Sequence, residues 1–284
     1  MKADQLSPTP QFAELVIEPG HTEVQYGRDL WRYRELFYFL AWRDILVRYK
    51  QTVIGIAWAV VRPLLTIGVF TILFGRIAKM QNDTLAPYAI LVAAANVPWQ
   101  FFANALSESS NSLVSNANLI SKVYFPRFIV PASSVITSFI DFLISFLILV
   151  GLMIWYRFVP DWRILTLPLF AALAFAASMG AGLWLAALNV KYRDFRYVIP
   201  FVVQFGLFIS PVGFSSTVVP DHWRLLYSLN PMVGVIDGFR WCILGGESRM
   251  FWPGFAIGLA VVAVFLWLGL RQFRAMEKTF ADLV

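Results

Sequence analysis

Apolar and polar positions in this chain fall into long alternating blocks. Residues 1–27 contain no apolar run, and Pro8, Pro10, Pro19, Gly20 and Gly27 interrupt regular structure, which predicts an extended tail. Residues 28–52 then take up a helical period: at about 100° per residue, Trp31, Tyr38, Trp42, Ile45 and Tyr49 share one stripe. Arg28, Arg32, Glu35, Arg43 and Lys50 fall on a neighbouring stripe. That segment is too charged to span, and aromatic rings beside Lys and Arg predict an amphipathic helix lying in the headgroup layer. Apolar blocks follow at 53–75, 88–105, 128–156, 164–190 and 251–270, most of them close to the roughly 20 residues that cross a bilayer. A further block beginning near Tyr197 is interrupted by Gly206, Pro211 and Gly213, which predicts a short or broken span.

The segments between the blocks differ in kind. Residues 106–127 are Ser/Asn-rich and end in a basic-aromatic run, so they read as a connecting segment with room for a short helix. Residues 218–250 are half apolar and carry Pro220, Asn230-Pro231, Gly234, Gly238, Gly245 and Gly246. They predict short helices that enter the outer leaflet without crossing it, a course tolerated only where the backbone is packed in protein. Ala176, Ala177, Gly180, Ala181 and Gly182 form a small-residue string that lets another helix come close. The expected fold is all-α and integral to the membrane. It has an N-terminal interfacial helix, six transmembrane helices over residues 53–270, re-entrant outer helices before the last span, and a short tail at 271–284.

Composition excludes the main alternatives. Of 284 residues, 59% are hydrophobic and 14% charged, and the mean hydropathy is +0.66. Soluble domains lie nearer half apolar and a quarter charged, and disordered chains combine low hydrophobicity with high charge. The polar opening predicts no cleavable signal peptide, so insertion falls to the later spans. The net charge is +6. Placing the N-terminus inside puts 15 Lys and Arg in cytoplasmic segments against 7 in outer ones, which predicts both termini in the cytoplasm. The basic excess therefore reads as a membrane signature, not a nucleic-acid-binding one. Cys242 is the sole cysteine and His21 and His222 the only histidines, so neither an internal disulfide nor a cysteine or histidine metal cluster is expected.

Four stretches carry a family resemblance: RDILVRYKQTVIGIAWAVVRPLL (Arg43 to Leu65), SNANLISKVYFPRFIVPASSV (Ser115 to Val135), VKYRDFRYVIPF (Val190 to Phe201) and SLNPMVGVIDGFRW (Ser228 to Trp241). In this order and spacing they resemble the permease subunit of ABC transporters that export O-antigen, capsule or teichoic acid. The resemblance implies a permease of the bacterial cytoplasmic membrane, working as two copies around one channel, with two ABC ATPase subunits beneath. Its cargo would be a lipid-linked polysaccharide, O-antigen on a polyprenyl pyrophosphate being the nearest match. No GxxxxGK[ST] occurs, so ATP and Mg would be bound by the partner subunit and no cofactor by this chain.

Several residues are candidates for function on that reading. Residues 116–125 fit a short amphipathic helix with Leu119, Ile120 and Val123 on one side and Asn118, Ser121 and Lys122 on the other. In the resembled family this loop is the coupling helix seated in the ATPase, so Asn118, Leu119, Ile120, Lys122 and Tyr124 are the expected contacts, with Asp44 on the flanking helix. Arg43, Arg48 and Lys50 lie at the inner surface, where they either attract the pyrophosphate or simply anchor the helix to anionic lipid. Arg62 and Asp141 are ionisable residues within spans and are expected to pair. Trp58, Phe201, Phe205 and Phe208 are candidates for a channel lining, because aromatic faces stack on sugar C–H faces without demanding particular hydroxyls. The rival class is a membrane-embedded enzyme acting on polyprenyl phosphate. It would need convergent acids or histidines, and the thin cluster of Asp221, His222 and Asp237 is the best available.

Overall fold

A computed structural model describes residues 26–50, 55–79, 86–192, 194–245, 248, 250–277 and 280. Of the expected tails at 1–27 and 271–284, residues 1–25, 278–279 and 281–284 lie outside the described residues, as does the junction at 51–54, while 26–27 belong to the first helix and 271–277 continue the last. Within them the chain is helical and contains no strand.

The N-terminal helix is broken at Tyr33 into α1 (Tyr26–Arg32) and α2 (Arg34–Lys50). It is apolar on two sides. Leu30, Tyr33, Leu36, Phe37 and Leu40 pack against the core. Trp31, Tyr38, Phe39 and Trp42 face outward, with Tyr38 and Trp42 stacked at 6.4 Å. The expected aromatic stripe therefore splits along its length. Its first three rings are exposed, whereas Ile45 and Tyr49 turn inward as the last turns of α2 lie along α6.

Five stretches are long and apolar enough to cross a membrane, those at 57–77, 88–115, 129–155, 162–191 and 252–277. The first is α3 (Gly55–Phe70), which runs on through a π-helical turn over Thr71–Ile77. The others contain α4 (Tyr88–Ser115), α6 (Ile129–Trp155), α7 (Leu167–Lys191) and α11 (Trp252–Glu277). Helix α8 (Phe195–Ile209) is apolar but only 15 residues long. The remaining helices are short: α5 (Ala117–Lys122), α9 (Asp221–Tyr227) and α10 (Pro231–Leu244).

Helix α4 is the pillar of the bundle. In its most apolar stretch 83% of residues are buried, against 17% for the first span and 22% for α11. It packs on α3, α6, α7, α8 and α10. Phe101 anchors a ring cluster with Phe139, Phe142 and Phe175, and Phe239 of α10 meets Phe142 edge-on. The helix also runs ten residues beyond the expected span. The serines of 106–115 read as a connecting segment, but Ser109, Ser110 and Ser112 are buried within the helix. Ser110 donates to the Leu106 carbonyl and Ser112 to that of Ser109, so these two hydroxyls are satisfied by their own helix, whereas the Ser109 hydroxyl has no hydrogen-bond partner among the described residues. Buried serine reads as loop in a sequence, although in a packed helix it costs little.

The small-residue string on α7 does what its composition predicts. A Cβ on Gly180 would lie 2.6 Å from the Leu266 amide nitrogen of α11, and one on Gly269 would strike the Gly180 carbonyl oxygen. The two backbones touch at this crossing. Gly180→Val is expected to push α7 and α11 apart and cost about 1–3 kcal/mol by overpacking, read as a lowered thermal midpoint of the detergent-solubilised protein. Gly151→Ala, where nothing lies within 4 Å of the new methyl, should leave that midpoint within the error expected of a neutral surface change.

Candidate functional site

The polar ends of the helices collect at one end of the bundle. Helix α4 finishes at Ser115, and Asn116 turns the chain into α5. Ile120 and Phe125 are buried beneath α5 and Leu119 is half-buried, whereas Asn118, Ser121, Lys122, Val123 and Tyr124 form an exposed crest. Val123 thus lies on the outer side, contrary to the expected division, because the helix stops at Lys122 and the chain is extended from Val123. The exposed side is consequently part polar and part apolar.

Three clamps hold this crest and the helix end before it. Arg43 of α2 donates to the Asn116 side-chain oxygen at 2.9 Å while also pairing with Asp44 at 2.7 Å. Asn189 of α7 donates to the Ser110 carbonyl at 2.9 Å and to the Asn111 side chain at 3.1 Å. Beyond the crest, the Arg127 amide donates to the Glu277 carboxylate at 2.8 Å, and its guanidinium donates to the Glu277 carbonyl at the end of α11. Segment 116–127 is thus bonded directly to α2 and α11, while Asn189 ties the last turns of α4, just before it, to α7.

A second polar network joins the end of α2 to the bundle. Arg48 pairs with Asp141 of α6 at 2.6 Å and with Glu108 of α4 at 2.5 Å. Tyr49 donates its hydroxyl to Asp141. Burial and the neighbouring Asp141 carboxylate push the Tyr49 hydroxyl above its ordinary pKa, so it is a donor at any working pH. The expected pairing of Arg62 with Asp141 is not what the structure shows. Asp141 is taken by Arg48 and Tyr49, and Arg62 lies exposed on α3, lining a shallow pocket of about 370 Å³ with Trp58, Leu65 and Thr66. An arginine reaching in from the interfacial helix was not foreseen, because spacing along a sequence does not report which helix ends meet. Arg43 and Arg48 are likewise engaged by protein groups, whereas Lys50 is exposed.

The rings of Trp58, Phe201, Phe205 and Phe208 all lie on exposed faces of α3 and α8, with Phe201 and Phe205 at 4.1 Å. Helix α4 packs on both of these helices. At the other end of the bundle, Asp221 pairs with Arg224 at 2.9 Å, His222 rests beside Trp223, and Asp237 is buried one turn from Arg240. Asp221 is thus spent on an arginine, whereas Asp237 makes no ion pair among the described residues and takes a hydrogen bond from Ser216. Asn111, Asn116, Asn189, Arg127 and Glu108 were not singled out by sequence reasoning. Their only signal is a polar side chain near the end of an apolar block.

Comparison with known proteins gives concordant matches. The family model described as ABC-2 type transporter matches residues 35–244. The O-antigen export system permease protein RfbA of Myxococcus xanthus is 26% identical over 261 residues, which cover 91% of this chain and 99% of that protein. A protein of the same name from Klebsiella pneumoniae is 24% identical over 246 residues, covering 85% of this chain and 92% of its own length. Another from Klebsiella pneumoniae is 24% identical over 233 residues, with 78% and 88% covered.

The two possible partners of Asp141 are separable by double-mutant cycles on thermal stability. Arg48→Gln with Asp141→Asn should show a coupling of about 0.5–1.5 kcal/mol, whereas Arg62→Gln with Asp141→Asn should be additive within about 0.5 kcal/mol. Coupling in the second cycle and additivity in the first would restore the pairing between spans.

Proposed function

The chain belongs to the ABC-2 type transporter membrane family, and we propose that it is the permease half of an ATP-driven exporter of a lipid-linked polysaccharide, O-antigen on polyprenyl pyrophosphate. The observation that carries this reading is the crest at 118–124, exposed on its outer side and clamped behind to α2 and α11, with the end of α4 before it tied to α7. A segment built in this way receives force instead of merely connecting spans. The matched relatives, named as O-antigen export permeases and covered nearly end to end, support the same cargo class.

In this reading Asn118, Leu119, Ile120, Lys122 and Tyr124 form the ATPase contact, with Asn118, Lys122 and Tyr124 touching the partner and Leu119 and Ile120 seating the helix. Asp44 holds Arg43, and Arg43 holds Asn116. ATP and Mg belong to the partner subunit. As two ATPases close on nucleotide, the crest moves, and the clamps carry that movement into the spans. Lys50, exposed at the end of α2, is the residue assigned to the pyrophosphate, while Arg43 and Arg48 act through their protein partners.

A second copy is placed against α3 and α8, where Trp58, Phe201, Phe205 and Phe208 would line the shared path. The support is chemical: exposed rings are ordinary against lipid, but Arg62 in the same helix face is not. Helix α8 counts as a sixth span, completed by the chain to either side of its apolar 15 residues, and α9 and α10 are re-entrant. Both termini then lie in the cytoplasm of a multi-pass inner-membrane protein. No covalent chemistry is assigned to this chain; in the best cluster of the enzyme alternative, Asp221 is engaged by Arg224 and Asp237 is buried.

A tagged chain drawn from native membranes in mild detergent is expected to bring an ABC ATPase at one-to-one stoichiometry, read by mass spectrometry. Lys122→Glu with Tyr124→Ala should remove that ATPase and abolish surface glycan while leaving the chain inserted. A chain that purifies without a nucleotide-hydrolysing partner, even after cross-linking, overturns the exporter.

A further inference from the structure

Away from the coupling end, a cavity of about 680 Å³ opens between α9, α10 and the start of α11. Its volume lies within the range of small-molecule sites, about 300–1,000 Å³. Ser216, Arg224, Tyr227, Asp237, Arg240 and Phe251 are among its walls.

The positive groups there are already used. Arg240, 2% exposed, donates to three carbonyls: Phe214 at 2.8 Å, Val212 at 3.1 Å and Leu91 at 3.3 Å. Arg224 pairs with Asp221 at 2.9 Å and donates to the carbonyls of Val219 and Thr217 at 3.2 and 3.3 Å. Among the described residues, an anion therefore finds no uncommitted cation in the cavity.

The acceptors are not used up. Asp237, 7% exposed, takes a hydrogen bond from Ser216 and offers further lone pairs. Burial, only partly offset by the Arg240 charge and the Ser216 hydrogen bond, pushes its carboxyl up to about 6. Tyr227, which also lines the cavity, spends its proton on the Ile209 carbonyl at 2.8 Å, so its oxygen is left as an acceptor. The ring of Phe251 closes one wall, with the Arg224 guanidinium 5.9 Å from its centre.

A carboxylate whose charge faces that of Arg240, a tyrosine oxygen left as acceptor and an aromatic face call for a neutral ligand that is rich in hydroxyl donors and has one apolar side. The geometry points to a subsite for one neutral pyranose unit of the exported glycan, its hydroxyls donating to Asp237 and Tyr227 and its C–H face packed on Phe251. This assignment rests on the export function proposed above. It gives α9 and α10 a direct hold on the emerging polymer.

The test uses the full chain in cells that carry its ATPase and glycan. A photoreactive p-benzoylphenylalanine replaces Thr217 at the cavity rim, and in a control replaces Leu147, exposed on α6. Illumination should yield a glycan-bearing adduct from Thr217 and none from Leu147. Adding Asp237→Asn should lower the adduct about tenfold at equal protein level, the loss for one hydrogen bond to a charged group. If Asp237→Asn fails to accumulate, Phe251→Leu, which removes the ring and keeps the charges, carries the same expectation. No adduct at Thr217 in cells that display surface glycan, or an adduct indifferent to these variants, overturns the subsite. Absence of surface glycan from cells with the unaltered chain would instead overturn the export function.

Discussion

Inside a bilayer a polar group has no water to fall back on, and the arrangement of this protein around α4 follows from that constraint. Helix α4 carries Asn96, Ser109, Ser110 and Ser112 into the centre of the bundle, where lipid would leave them costly. Two devices meet part of the cost. The Ser110 and Ser112 hydroxyls turn back onto carbonyls of their own helix, and neighbouring helices supply donors to α4, as Asn189 does to Ser110 and Arg240 does to Leu91. The side chains of Asn96 and Ser109 find no hydrogen-bond partner among the described residues. The bonds from Asn189 and Arg240 also fix a second helix, so satisfying α4 and positioning those neighbours are the same act.

The two ends of the bundle use the device for different purposes. At the outer end Arg240 takes carbonyls from α4 and from the loop after α8, while Tyr88 donates to Gly213 at 2.5 Å in that same loop. These are short-range locks on backbone, and they hold the floor beneath α9 and α10. At the coupling end the bonds run between side chains, Arg43 with Asn116 and Arg48 with Asp141 and Glu108. The ion pairs among them are partly exposed, and such pairs are individually worth about 1 kcal/mol or less. In the proposed exporter, bonds of that strength can break and re-form as the crest moves against its partner.

Much of the fold was legible because hydrocarbon imposes a length and a composition. The apolar blocks, the glycine contact of α7 with α11 and the short α8 followed from those alone. The exposed crest of α5 was legible from its polarity. What escaped sequence reading was the end of α4, since buried serines look like loop residues, and every pairing between distant helix ends. Arg62 and Asp141 were matched as the nearest charges within spans, yet the arginine that reaches Asp141 comes from outside the spans. Val123 was misplaced for a smaller reason: a helical period cannot be extended past the residue at which the helix stops.

The position of Arg62 carries the last step. Arg43, Arg48 and Arg240 each meet a carboxylate or a set of carbonyls in this chain, whereas among the described residues no carboxylate pairs with Arg62. It lies on an exposed face of α3 between Trp58 and Leu65, with Thr66 beside it. A guanidinium held in a span against lipid tails is costly, and its side chain must either snorkel to the headgroups or face something other than lipid. Trp58 sits one turn nearer the cytoplasmic end of the same face, where a snorkelling Arg62 would have to pass. In the proposed exporter that face looks into the polar path between two copies, where water and sugar hydroxyls solvate the charge and the ring alike.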